Sequence, residues 1–99
     1  MTRADVIAKL KAAEPALRAR GVAALYLYGS YARDEGQENS DVDILVDFEP
    51  GRGIGLSGFL APVETLEERF PGKEIGFSTR DSILPIYLPD IEQSAIRVF

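Results

Sequence analysis

The sequence predicts a small α/β domain, a mixed β-sheet with helices packed on one face. Three observations carry that reading. Two apolar runs of strand length, VAALYLYG at 22–29 and DVDILVDF at 41–48, bracket a polar stretch. Apolar residues recur at helical spacing before the first run and again after the second. A shorter run, EIGFS, follows the break Pro71-Gly72-Lys73 and supplies a third strand.

Taken in order, Thr2 caps a helix whose apolar face is Val6, Ile7, Leu10 and Leu17. Pro15 interrupts it, so the helix either kinks there or starts again. Gly21 is a suitable stop. The first strand follows, then a short helical turn and loop in SYARDEGQENS, then the second strand. EPGRGIG is a turn-rich connection. Leu56, Phe59, Leu60, Val63, Leu66 and Phe70 predict a second long helix, with Pro62 in its first turn. The tail, which holds Pro85 and Pro89, predicts a last helix from about Pro89 to Arg97. Ninety-nine residues suit one domain over 1–99.

Composition narrows the chemistry. The chain has no cysteine and no histidine, which excludes disulfides, thiolate metal sites and an imidazole base. Catalysis must rest on carboxylates, hydroxyls, lysine or arginine, with a hard metal. A net charge of −5 and scattered basic residues argue against direct nucleic-acid binding and favour a basic partner. No stretch approaches the roughly 18 apolar residues of a membrane span, and the charged N-terminal segment lacks a signal-peptide core. A cytoplasmic protein is expected.

Side chains alternate between the faces of a strand. Val42, Ile44, Val46 and Phe48 therefore form an apolar face, and Asp41, Asp43, Leu45 and Asp47 lie opposite. Asp41 and Asp43 project about 7 Å apart from the open face. Like charges on one face repel unless water or a cation intervenes. Magnesium takes a few carboxylate oxygens and fills its shell with water and phosphates, and a pair of such ions suits phosphoryl chemistry. Alone, an Asp-x-Asp also describes the wet side of any amphipathic strand. Gly29-Ser30 ends the first strand and opens a short helix, where bare backbone and the Ser30 hydroxyl can hold a phosphate and Arg33 can add charge. Alone, it is an ordinary strand-to-helix turn.

Together they form GSYARDEGQENSDVDILVDF, with ten residues between Ser30 and Asp41. This resembles the signature of the DNA polymerase β-like nucleotidyltransferases, most closely their minimal nucleotidyltransferase branch, through Gly29, Ser30, Ala32, Arg33, Ser40, Asp41, Asp43 and Val46. The resemblance implies the nucleotidyltransferase fold, with a nucleoside triphosphate, ATP, held by Gly29, Ser30, Arg33 and Ser40. It implies divalent metal, Mg2+ as one ion or two, on Asp41 and Asp43. Members transfer a nucleoside monophosphate to a hydroxyl and release pyrophosphate. Minimal members are often encoded beside a helical HEPN ribonuclease toxin, and some act as antitoxins by attaching AMP to a toxin tyrosine. The resemblance thus implies a hetero-oligomer with such a toxin.

Two positions depart from the family pattern. Asp34 stands where a glycine commonly follows the motif arginine, with Gly36 as a substitute source of flexibility. The third carboxylate of the family falls on Gly76. Glu74, two residues earlier on the same face, is either the replacement in a catalytic role or a solvated edge residue, and the second reading is the simpler one. Without a third carboxylate the acceptor hydroxyl loses its best-placed base, and Gly76→Asp is expected to restore rate if the backbone there tolerates a side chain. Three readings stay open: an adenylyltransferase antitoxin, the same fold with failed chemistry acting by binding alone, and a stand-alone transferase for a small molecule. Gly53-Ile54-Gly55-Leu56-Ser57-Gly58 also matches G-x-G-x-x-G, but the chain is too short for a doubly wound dinucleotide domain. A rim loop is expected there.

Overall fold

A computed structural model describes residues 1–51 and 53–99. Arg52, within the expected turn-rich connection, lies outside the described residues. Four strands form one mixed sheet: β1 (Val22–Tyr28), β2 (Val42–Phe48), β3 (Ile75–Ser78) and β4 (Ile96–Arg97). They are ordered β3-β2-β1-β4. β1 runs antiparallel to both β2 and β4, whereas β2 and β3 are parallel. A parallel pair needs a crossover, and α4 (Leu56–Arg69) supplies it.

The N-terminal helix is two helices, α1 (Arg3–Ala12) and α2 (Glu14–Ala19). Thr2 and Asp5 form a reciprocal capping box at the start of α1. Pro15 falls in the first turn of α2, where its missing N–H costs nothing, so the chain starts a new helix instead of kinking one. Gly21, with φ +94°, carries the chain out of α2 into β1.

Val22, Leu25 and Leu27 all reach the core although strict alternation would split them. A bulge between Val22 and Ala24 absorbs the extra residue. From β2, Val42, Ile44 and Val46 are fully buried and Phe48 packs at the margin. Val6, Leu10, Leu17, Leu66 and Phe70 close over them from α1, α2 and α4.

Four sequence expectations need correction. Pro62 lies well inside α4, not in its first turn. It is buried there, and the helix accepts it although the ring removes one hydrogen bond. Leu56 and Leu60 are 75% and 42% exposed. Helical spacing admits two neighbouring stripes in this segment, and the sheet takes the one through Phe59, Pro62, Leu66 and Phe70. The last helix, α5, spans Leu88–Ser94 and stops before Arg97. Ile96 and Arg97 instead pair with Leu27 and Tyr26 as β4.

The fourth correction concerns the face away from the core, which is not simply open. Leu45 is fully buried there. Arg80, in a 3₁₀ turn after β3 (Arg80–Ser82), reaches across this face. Its Nε donates to Asp47 Oδ1 at 3.1 Å, and its guanidinium stacks 5.3 Å from the Tyr26 ring centre. Its Nη1 lies 2.8 Å from Glu92 Oε2 of α5, an electrostatic contact without hydrogen-bond alignment. Arg80 thus ties α5 to the sheet. No described helix is long and apolar enough to cross a membrane.

Candidate functional site

The site forms where β1 ends, β2 begins and β3 runs alongside. Tyr28, Asp43 and Gly76 are register partners across the three strands. Gly29 follows Tyr28 and opens α3 (Gly29–Ala32) with φ +76°, a conformation that favours glycine. A β-carbon at Gly29 would come 2.1 Å from Asp43 Oδ2. A β-carbon at Gly76 would come 2.6 Å from Asp43 Oδ1. The Asp43 carboxylate therefore lies in a slot between two bare α-carbons. Both glycines are needed for that rotamer, for the same steric reason.

This geometry changes the meaning of Gly76. The sequence presents it as a missing base that Gly76→Asp would restore. In the structure a side chain there pushes on Asp43 itself. The atom struck is the far end of a side chain, so the sheet can survive while the carboxylate swings away. The expectation of a gain is reversed.

Asp41, the first residue of the expected strand, stands one residue before β2 and is exposed. Burial raises the Asp43 pKa, the negative charge of Asp41 raises it further, and Arg33 opposes both. Asp41 and Arg33 thus act on Asp43 with opposite sign. Arg33 itself is exposed and donates to Glu35 Oε1 at 3.3 Å. Ser30 is partly buried, and its carbonyl accepts from the Glu35 N–H at 2.8 Å. Ser40 Oγ accepts from the Gln37 N–H at 2.9 Å, so this hydroxyl already shapes the loop.

Glu74 is exposed, and its carbonyl accepts from the Val42 N–H at 3.0 Å. Its side chain borders a cavity of ≈ 360 Å³ together with Glu38, Ser40, Asp41 and Lys73. Among the described residues, no group of three or more Asp, Glu, His or Cys side chains converges into a metal cage. A pair of oxygen donors is what remains. Two carboxylates that repel each other, one of them half-buried, fit a hard cation whose shell is completed by phosphate and water.

The Asp34 departure also has a physical reason. Its φ is +59°, the only positive φ among the described non-glycine residues. The chain turns through the left-handed region here, which glycine enters freely and aspartate more easily than most residues. Asp34 is exposed. Gly36 does not substitute for the glycine. It lies against the Tyr31 ring, where a β-carbon would come 2.2 Å from Cδ1. Gly55 of the G-x-G-x-x-G stretch caps α4 and Gly58 lies inside that helix.

Sequence reasoning missed Lys73. Its Nζ, with three N–H donors, lies among four acceptor oxygens: the Tyr31 hydroxyl at 2.7 Å, the Gln37 carbonyl at 3.2 Å, the Ser40 carbonyl at 3.3 Å and the Glu38 carbonyl. Tyr31 is 1% exposed and donates in turn to the Gln37 carbonyl at 2.9 Å. The nearest signal was the position of Lys73 just before the third strand, which says nothing of a loop more than thirty residues away.

Known proteins share this fold. A candidate protein adenylyltransferase of Methanocaldococcus jannaschii is 40% identical over 84 residues, 85% of this chain and 87% of that protein. A solved structure of a candidate minimal nucleotidyltransferase superposes with a TM-score of 0.80 at 27% identity, covering 97% of this chain and 95% of the other. A toxin–antitoxin crystal structure with AMP-PNP superposes with a TM-score of 0.70 over 92% of this chain and 72% of that one; at 17% identity it speaks to the fold alone. The nucleotidyltransferase domain family matches residues 10–98, nearly the whole chain, and the chain belongs to that family.

Proposed function

We propose that the chain is an antitoxin of the minimal nucleotidyltransferase type, which transfers AMP from ATP to a tyrosine of a helical HEPN-type toxin. The observation that carries the reading is the Asp43 carboxylate, seated between Gly29 and Gly76 with Asp41 in electrostatic reach. A relative named as a candidate protein adenylyltransferase supports AMP as the transferred group. The toxin as acceptor comes from the resemblance of GSYARDEGQENSDVDILVDF to the minimal nucleotidyltransferases.

Asp41 and Asp43 would hold magnesium, which when bound offsets phosphate charge and polarises the α-phosphoryl group. Gly29 leaves the backbone bare for phosphate approach, Ser30 offers a hydroxyl, and Arg33 adds positive charge. In the transfer the acceptor oxygen bonds to the α-phosphorus and the bond to the β-phosphate bridging oxygen breaks. Pyrophosphate leaves and the acceptor proton passes to solvent. A phenol suits a site with no third carboxylate at Gly76, because it loses its proton near pH 10, far more readily than an aliphatic alcohol. Glu74 is exposed and serves at most at the rim.

The test is mass spectrometry of a HEPN-type helical toxin incubated with this chain, ATP and magnesium. A mass gain of one AMP on a tyrosine, lost with Asp43→Asn, is the expected result. A tight complex that silences the toxin with no mass gain would leave only the binding-module reading.

A further inference from the structure

We propose that Lys73 is a positioning residue for this site: with Tyr31 it clamps the loop that connects the phosphate-binding turn to Asp41. The inference rests on the proposed function only for its nucleotide readout; the clamp itself stands on geometry.

The loop from Arg33 to Ser40 has little regular structure, so its carbonyls need partners from elsewhere. Three of them, on Gln37, Glu38 and Ser40, converge on one ammonium group. That group also donates to the Tyr31 hydroxyl and sits 5.2 Å from the Tyr31 ring centre. Tyr31 belongs to α3, directly after Ser30, and is buried in the core. Gly36 packs on its ring, and the tyrosine hydroxyl donates to Gln37. The Ser40 hydroxyl then closes the turn onto the Gln37 N–H. One side chain, from the turn that precedes β3, thus binds the end of a loop whose next residue is Asp41. The same turn places Glu74, whose carbonyl holds the first amide of β2.

An ammonium is a compact charge that can face several acceptors at once, whereas a guanidinium is a flat fork. Lys73→Met keeps the length and removes the charge. Residues that support metal ligands typically alter metal affinity about 10–100-fold when removed. Lys73→Met is therefore expected to weaken ATP binding about tenfold or more in magnesium and to leave the weaker binding in EDTA unchanged. Tyr31→Phe, which keeps the ring, is expected to show a smaller loss of the same kind.

The experiment is calorimetric titration with ATP, in magnesium and in EDTA, of wild type, Lys73→Met, Tyr31→Phe and Leu17→Ala. Leu17 is a core residue of α2 and serves as the control for lost stability. Amide hydrogen exchange of the same proteins is measured alongside. Lys73→Met should speed exchange at the Gln37 and Ser40 amides while the β1 and β2 amides stay protected. Unchanged exchange in the loop overturns the clamp, whether or not nucleotide binds. Faster exchange with unaltered magnesium-dependent affinity, or an equal affinity loss in Leu17→Ala, reduces Lys73 to a structural residue and overturns its positioning role. Wild type that binds no nucleotide sinks the proposed function, and the exchange data then still decide the clamp.

Discussion

Asp43 is held in place by what its neighbours lack. The two bare α-carbons of Gly29 and Gly76 leave room for one carboxylate orientation. Gly76→Ala is expected to keep the fold and lose magnesium-dependent ATP binding, as read by calorimetry beside a circular dichroism spectrum. Gly29→Ala should do both kinds of damage, because its φ of +76° strains any side chain. Asp43→Asn is expected to raise the thermal midpoint of the metal-free protein, since it removes a half-buried charge facing Asp41, and to abolish stabilisation by magnesium with ATP. At Asp34 the order of stability should be glycine at or above aspartate, and both above alanine by about 1 kcal/mol, because the left-handed turn penalises an ordinary β-carbon. Denaturant melts would check the ranking. The Gly-Ser and Asp-x-Asp residues were legible in sequence because the chain brings them within a few residues of two strand ends. The roles of Gly76 and Lys73 were not, since each depends on a partner more than thirty positions away.

At the scale of elements, β2 decides most. Its core-facing residues followed from alternation alone, and Ile44→Ala should cost about 2–5 kcal/mol in a denaturant melt. Asp43→Ala should cost little by the same measurement, and the opposite ranking would contradict the register of β2. The other face was misread at Leu45, because alternation assigns sides but does not say what covers them. Arg80 reaches over that face, to Asp47 and the Tyr26 ring, from a turn with no sequence signature. Arg80→Ala is expected to loosen α5 first, seen as faster amide exchange at Ile91 and Ala95, since it unlinks Glu92 from Asp47. β4 escaped notice for a simpler reason. Two residues carry no periodicity, and only pairing with Tyr26 and Leu27 makes them a strand.

For the molecule as a whole, the net charge of −5 favours a basic partner, and association should slow as salt is added. Stopped-flow association rates with the proposed toxin partner at two ionic strengths would read this directly. Acid should weaken the start of α1. Hydrogen bonds from the Thr2 main chain and side chain hold the Asp5 pKa below its ordinary value. A depressed carboxylate stabilises the fold above its unfolded pKa, and that contribution disappears as pH falls through the folded value. Asp5→Asn should therefore flatten the acid limb of a stability-against-pH curve.

The order of strands also sets a timetable. β1 meets β2 about twenty residues further along the chain, but its pairing of Tyr26 with Arg97 closes a loop of about seventy residues. Distant pairings form late, because chain entropy must be given up before they gain contacts. The two-residue β4 should thus be the last strand to dock and the first to fray. The carboxylate slot lies on the other three strands and does not wait for it. A refolding chain is expected to protect the amides of β1 that face β2 before those that face β4, so that a competent pocket exists while one margin of the sheet is still unzipped.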